Sequence, residues 1–161
     1  MKPTRLSLLL LTSLPTTVAA FFAATFMVSR GFAVPVSPIN LLITLIAISL
    51  VLLGLSIPIW RYRSGLKQTS TQRPKRVDPF YAVRVLLLAK ASSLAGMLFA
   101  SWHLGVVLFQ LSGAVVVQDL VLRNAFGFVS SALLIAAAFI TEQICRLPQD
   151  KDPDSDQAVR S

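Results

Sequence analysis

The chain has 161 residues, 55% of them hydrophobic and only 14% charged, with a net charge of +8. That composition is too apolar for a soluble domain of this size. The positive charge does not point to nucleic acid, because the basic residues cluster beside long apolar runs and do not cover one folded face. A membrane surface rich in anionic lipid accounts for them instead.

Lys2 and Arg5 precede an uncharged run from Leu6 to Val28. A bilayer core needs about 20 helical residues, so residues 6–28 are long enough to span. Val18-Ala19-Ala20 has the look of a signal-peptide cleavage site, but the apolar run continues through Phe21, Phe22, Phe26 and Met27. A retained first span is therefore the expectation, with cleavage as the alternative. Pro15 falls inside it. Gly31, Pro35 and Pro38 break the chain next, and a second uncharged span is expected over 39–60, closing on Trp60 and Tyr62 as interfacial anchors. Residues 61–78 form the polar loop, with Arg61, Arg63, Lys67, Arg73, Lys75 and Arg76 against a single acid, Asp78.

Asp78 is a good helix cap and Pro79 suits the first helical position, so the start of the third helix is well marked. Arg84 and Lys90 stand near its entrance, and beyond Lys90 no charge appears until Asp119. The third span is expected over 85–111. A short turn at Ser112-Gly113 leads to a fourth over 120–144, where Asp119 is a candidate cap and Arg146-Leu147-Pro148 ends the helix. The transmembrane domain thus covers 1–148, and residues 149–161 form a solvated, disordered tail.

All fifteen lysines and arginines except Arg30 and Arg123 fall on one side of this arrangement. The expected topology is an all-α bundle of four transmembrane helices in the plasma membrane, multi-pass, with both termini cytoplasmic.

The opening Met-Lys-Pro-Thr-Arg, the elbow Asp78-Pro79-Phe80-Tyr81-Ala82-Val83-Arg84 with the stretch running on to Gly96, and the closing Glu142-Gln143-Ile144-Cys145-Arg146-Leu147-Pro148 carry a resemblance over nearly the whole chain. It resembles a family of small four-span actinobacterial membrane proteins known only as a domain of unknown function. The resemblance implies a four-helix plasma-membrane protein, often encoded beside folate-biosynthesis genes, and brings no activity, substrate or catalytic residue. This chain has Gln143 where members often have arginine.

Signatures of chemistry are missing. The sequence has no Gly-rich phosphate loop, no His-Glu-x-x-His, no Gly-x-Ser-x-Gly and no usefully spaced carboxylate pair. His103 is the only histidine and Cys145 the only cysteine, so one chain cannot build a multi-histidine or Cys-based metal site, nor an internal disulfide. No catalytic residue, metal or cofactor is expected. His103 is expected to hydrogen-bond inside the bundle, with a proton relay as the alternative.

Small residues are more informative. Ser92, Gly96 and Ala100 recur every four positions, and Gly127 begins a matching stripe with Ser131, the pattern that lets membrane helices approach closely. Spans three and four are joined by a short turn and are expected to form an antiparallel hairpin. That register places Lys90 opposite Glu142 as a charge pair near the cytoplasmic edge, and Ser101 opposite Ser131 as a contact near the midplane. The expected function is a non-enzymatic accessory or structural membrane protein, acting through helix packing and its basic loop. The partners are anionic lipid head groups and either a further copy or another membrane protein. The alternative is a small homodimeric transporter, which the family's gene neighbourhood links to pterin or folate metabolism. Transport would call for polar groups near the midplane, and spans one and two carry no charge.

Overall fold

The computed structural model describes residues 6–67, 78–113 and 116–145. Within them the chain is all-α, with α1 Leu6–Ser29, α2 Ile39–Lys67, α3 Pro79–Ser112 and α4 Gln118–Cys145. Each of the four is long and apolar enough to cross a membrane.

The helix ends follow local chemistry. α1 stops at Gly31, which adopts a φ of 80° that other residues rarely take. This conformation lets Phe32 N–H reach Met27 O and Gly31 N–H reach Val28 O, both at 3.0 Å, so that two end carbonyls are satisfied. α3 begins at Asp78, whose carboxylate accepts from the Phe80 N–H at 2.9 Å, with Pro79 at the first helical position. Asp119 lies inside the first turn of α4 and does not precede it; there its charge suits the helix dipole.

One boundary is corrected. Residues 61–67, expected to open the polar loop, are helical and extend α2 to Lys67. Polar side chains end an apolar span without ending a helix, and the Arg63 guanidinium holds this extension by donating to Gln143 O at 3.0 Å and Ile144 O at 2.8 Å. Arg73, Lys75 and Arg76, like the tail at 149–161, lie outside the described residues.

Both faces of these helices are apolar, so polarity and size mark the packing face. Leu11, Leu14, Val18, Phe22 and Phe26 of α1 are exposed, while Ala20 and Ala24 are buried. In α4 the buried positions include Asn124, Gly127, Ser131, Ala138 and Glu142. This is the membrane arrangement, in which lipid replaces water around large apolar side chains and small residues bring backbones together.

The helices pack in the order α1, α3, α4, α2. The α3–α4 interface is the most extensive, α1 touches only α3, and α2 packs mainly on α4 and lightly on α3. Gly105 is where α1 meets α3: a Cβ there would run into the Thr17 carbonyl oxygen and come within 2.7 Å of the Ala20 Cβ. Phe21 and Phe109 add an edge-to-face contact, with ring centroids 6.0 Å apart. Between α2 and α4, Leu45, Leu52, Leu134 and Ala138 form a buried apolar cluster.

Candidate functional site

Side-chain hydrogen bonds between elements occur at two levels of the bundle, while buried serines such as Ser49, Ser101, Ser130 and Ser131 bond within their own helices. The distal level lies towards the 30–38 connection, and the basic level lies towards the end of α2 and the start of α3.

At the distal level, Pro35 and Pro38 bracket Ser37 and stiffen the connection between α1 and α2. The Ser37 hydroxyl lies 2.9 Å from His103 Nδ1 on α3 and donates to Asn124 Oδ1 on α4 at 2.9 Å. Asn124 Nδ2 donates to Pro35 O at 3.1 Å and to Leu120 O at 3.3 Å. All three side chains are at least 95% buried. Gly127 makes room for the imidazole, since a Cβ there would sit 2.8 Å from His103 Nε2.

The proton positions follow from this geometry. Two carbonyls fix which end of the Asn124 amide is nitrogen, so Oδ1 faces Ser37 and can only accept. The single Ser37 proton is therefore committed to Asn124. His103 must supply the proton for its own bond, Nδ1–H to Ser37 Oγ. The imidazole is then the Nδ1–H tautomer, and Nε2 keeps a buried lone pair with no partner among the described residues.

A serine beside a histidine suggests a nucleophile and its base, but here the direction is reversed. A base must accept the serine proton, and His103 Nδ1 already carries one. The chain His103 → Ser37 → Asn124 → Pro35 instead works as a latch, binding the α1–α2 connection to α3 and α4.

A cleft of about 350 Å³ opens beside this latch. Ser37, His103 and Asn124 line its polar end, while Leu98, Phe99 and Trp102 form an apolar wall.

At the basic level, Glu142 is 4% exposed and Lys90 is half-buried. Each side chain or backbone is engaged, so neither residue is without a partner. Thr141 Oγ1 donates to Leu52 O at 3.4 Å and Tyr81 Oη to Leu55 O at 3.0 Å, joining α4 and α3 to α2. Of the basic-loop residues, Arg61 is exposed and Arg63 is partly buried against the end of α4.

The small-residue stripe is inside the bundle. Ser92, Gly96 and Ala100 are buried. A Cβ on Gly96 would come within 2.9 Å of Ile135 and 3.3 Å of Ser131 O, so this glycine seats α4 on α3. Ser101 and Ser131 are also buried, but no hydrogen bond joins them. Each hydroxyl donates to its own helix at 2.8 Å, Ser101 to Met97 O and Ser131 to Gly127 O, the acceptors nearest to hand.

Sequence reasoning placed His103 in a hydrogen bond within the bundle and missed both partners. Ser37 lies 66 positions away and Asn124 belongs to another helix. The available signal was a serine between two prolines and an asparagine on the small-residue face of α4. Gly105 was missed as well: it lies on the face of α3 opposite Gly96, towards α1, and so falls outside the stripe that faces α4.

Among the described residues no group of three or more His, Cys, Asp or Glu could hold a metal ion. No curated protein and no solved structure matches the chain. Residues 9–149 match the model of the family described as protein of unknown function (DUF3180), and the chain belongs to that family.

Proposed function

We propose that this chain is a non-enzymatic accessory or structural protein of the plasma membrane, with both termini in the cytoplasm. The observation that carries the reading is the direction of the distal hydrogen bonds. The one serine–histidine pairing has its protons placed for holding helices together, and the serine cannot be deprotonated by that ring without breaking the latch.

Transport through one chain is disfavoured by the packing between the two polar levels. Lys90 and His103 are about 20 Å apart along α3, two-thirds of a hydrocarbon core of about 30 Å. The apolar cluster of Leu45, Leu52, Leu134 and Ala138 fills the α2–α4 interface, and a polar path is what a transporter would need there.

In this reading α3 and α4 form an antiparallel hairpin. Gly96 against Ile135 and Gly127 against His103 support it, because the numbers run in opposite senses along the two helices. Lys90 and Glu142 then sit opposite one another and pair at the cytoplasmic edge. The basic segment from Arg61 to Asp78 faces anionic lipid head groups, each near-surface basic residue contributing about 1 kcal/mol. An actinobacterial origin and a link to folate metabolism remain implications of the family resemblance.

Affinity purification in a mild detergent tests the role. The expected product is a stoichiometric complex with a second membrane protein. A homodimer that moves a pterin into proteoliposomes would overturn the proposal in favour of transport. Reporter fusions after Gln68 and at Ser161 should both signal cytoplasm and one near Pro35 the opposite side; a reversed pattern would refute the orientation.

A further inference from the structure

The carbonyls in the middle of α2 are unequally served. Leu52 O accepts from Thr141 Oγ1 at 3.4 Å, Leu53 O from Ser56 Oγ at 2.7 Å and Leu55 O from Tyr81 Oη at 3.0 Å. Gly54 O, in their midst, accepts from no side chain among the described residues. It also lacks the bond that a carbonyl in a helix interior ordinarily has. Its helical donor would be the N–H of residue 58, and residue 58 is proline. Proline has no N–H, and its ring crowds the carbonyl four positions before it.

This gap lies on the outer side of α2. Gly54 and Pro58 are exposed, as are Leu50, Val51 and Ile57 around them. A glycine has no side chain, so the surface it exposes is main chain, and nothing lies within 4 Å of where a Cβ would stand. Gly54 precedes the interfacial Trp60 by about 9 Å along the helix, which places it within the apolar span. A polar group left unmet in lipid is costly. Membrane helices tolerate proline where a neighbouring helix, a hydroxyl side chain or water meets the carbonyl it frees, and here no described side chain does so.

Resting on the reading of the chain as an accessory membrane protein, we propose that Gly54 is the docking point for a transmembrane helix of its partner. That helix crosses α2 at the glycine and donates a hydrogen bond to the Gly54 carbonyl from a carboxamide or hydroxyl side chain, since a lone charge at this depth would be costly. The two features make one site. The missing Cβ lets a second helix backbone come close, and the missing N–H leaves an acceptor for it to meet. A second copy of this chain does not supply the donor. A two-fold axis along the membrane normal brings equal residues to equal depth, and from Leu50 to Pro58 the only polar side chain is Ser56, which is buried and donates to Leu53 O. The partner is a different membrane protein.

The test uses the full-length protein in lipid vesicles and two synthetic transmembrane helices of leucine and alanine. They are alike except that one carries an asparagine, and the other a leucine, at the depth of Gly54. Binding is read by energy transfer between dyes on peptide and protein. The asparagine helix should bind about three- to tenfold more tightly than the leucine helix, the range for one hydrogen bond between membrane helices. Pro58→Ala supplies the missing N–H, so it should erase that preference while the melting temperature of the isolated protein stays the same or rises. Gly54→Leu fills the notch and should erase the preference too, again without lowering the melting temperature. Equal binding of the two helices by wild type, or a preference that survives either substitution, would overturn the proposal. The complex purified in mild detergent separates this inference from the reading beneath it. A partner retained equally by wild type, Pro58→Ala and Gly54→Leu would leave the accessory role standing and remove Gly54 as its contact.

Discussion

The two polar levels bury comparable groups by different means. The distal level uses neutral side chains whose hydrogen bonds are directional, with Ser37, His103 and Asn124 each at least 95% buried and linked to one another, while His103 Nε2 and the Gln110 amide find no partner among the described residues. The basic level uses charge: Lys90, Glu142, and the Arg63 guanidinium on the carbonyl end of α4. Long basic side chains can reach water from a helix end and keep part of their hydration there. A buried neutral network avoids the cost of an ion and is held by the bonds its members make with one another. The distal level should therefore fail as a unit and be indifferent to salt, whereas the basic level should weaken by small, screened increments.

The sharpest way to break this contrast is Asn124→Leu. It removes the acceptor of the Ser37 proton and the donor to the Pro35 carbonyl at once, leaving a buried hydroxyl and a half-buried carbonyl without those partners. The expected loss is about 3 kcal/mol in unfolding by denaturing detergent. A loss below about 1 kcal/mol, the ordinary net worth of a single hydrogen bond, would mean that the latch is not cooperative.

Somewhat smaller, about 2 kcal/mol, is the expected cost of Gly105→Ala, where the new methyl meets backbone of α1 and the helix must move away. Gly54→Ala is its control, because nothing lies within 4 Å of a Cβ at that position. The control should be neutral or slightly stabilising. Gly127→Ala should cost about 1 to 2 kcal/mol, since the methyl meets the His103 ring, a side chain that can turn aside. Its signature is specific: a shift in the His103 imidazole NMR resonances as the bond to Ser37 is lost. Unchanged resonances would show that the ring does not depend on that space.

Much of this fold was legible in the sequence. Four long apolar runs, the first two free of charge, gave the helices, Asp78-Pro79 gave the start of α3 and Gly31 the end of α1. Gly96 and Gly127 marked where α3 and α4 close on each other. Lateral order was not legible, because both faces of each helix are apolar and periodicity cannot say which neighbour a helix has. α1 packs on α3 and not on α2, its neighbour in sequence, and only Ala20, Ala24 and Gly105 hint at it. The latch was hidden for a related reason. Ser37 belongs to a connection with no repeating pattern, and its partners lie 66 and 87 positions away. The helical continuation of α2 through Lys67 escaped notice because an apolar span and a helix have different ends.

The smallest effect tests the other half of the contrast. Arg63 donates to the carbonyls of Gln143 and Ile144, which belong to the last turn of α4, where carbonyls commonly look outside the helix for partners. A cation there also answers the negative end of the helix dipole, a contribution of about 0.3 to 1 kcal/mol where water has access. Arg63→Ala should lose about that much, and Arg63→Lys should recover the charge but not the forked geometry, restoring part of it. Raising the salt from 0.05 to 0.5 M, about 14 to 4 Å in Debye length, should shrink the difference between wild type and Arg63→Ala. The same change should leave the cost of Asn124→Leu where it was. If both substitutions respond equally to salt, the two levels are not held by different physics and the contrast between them falls.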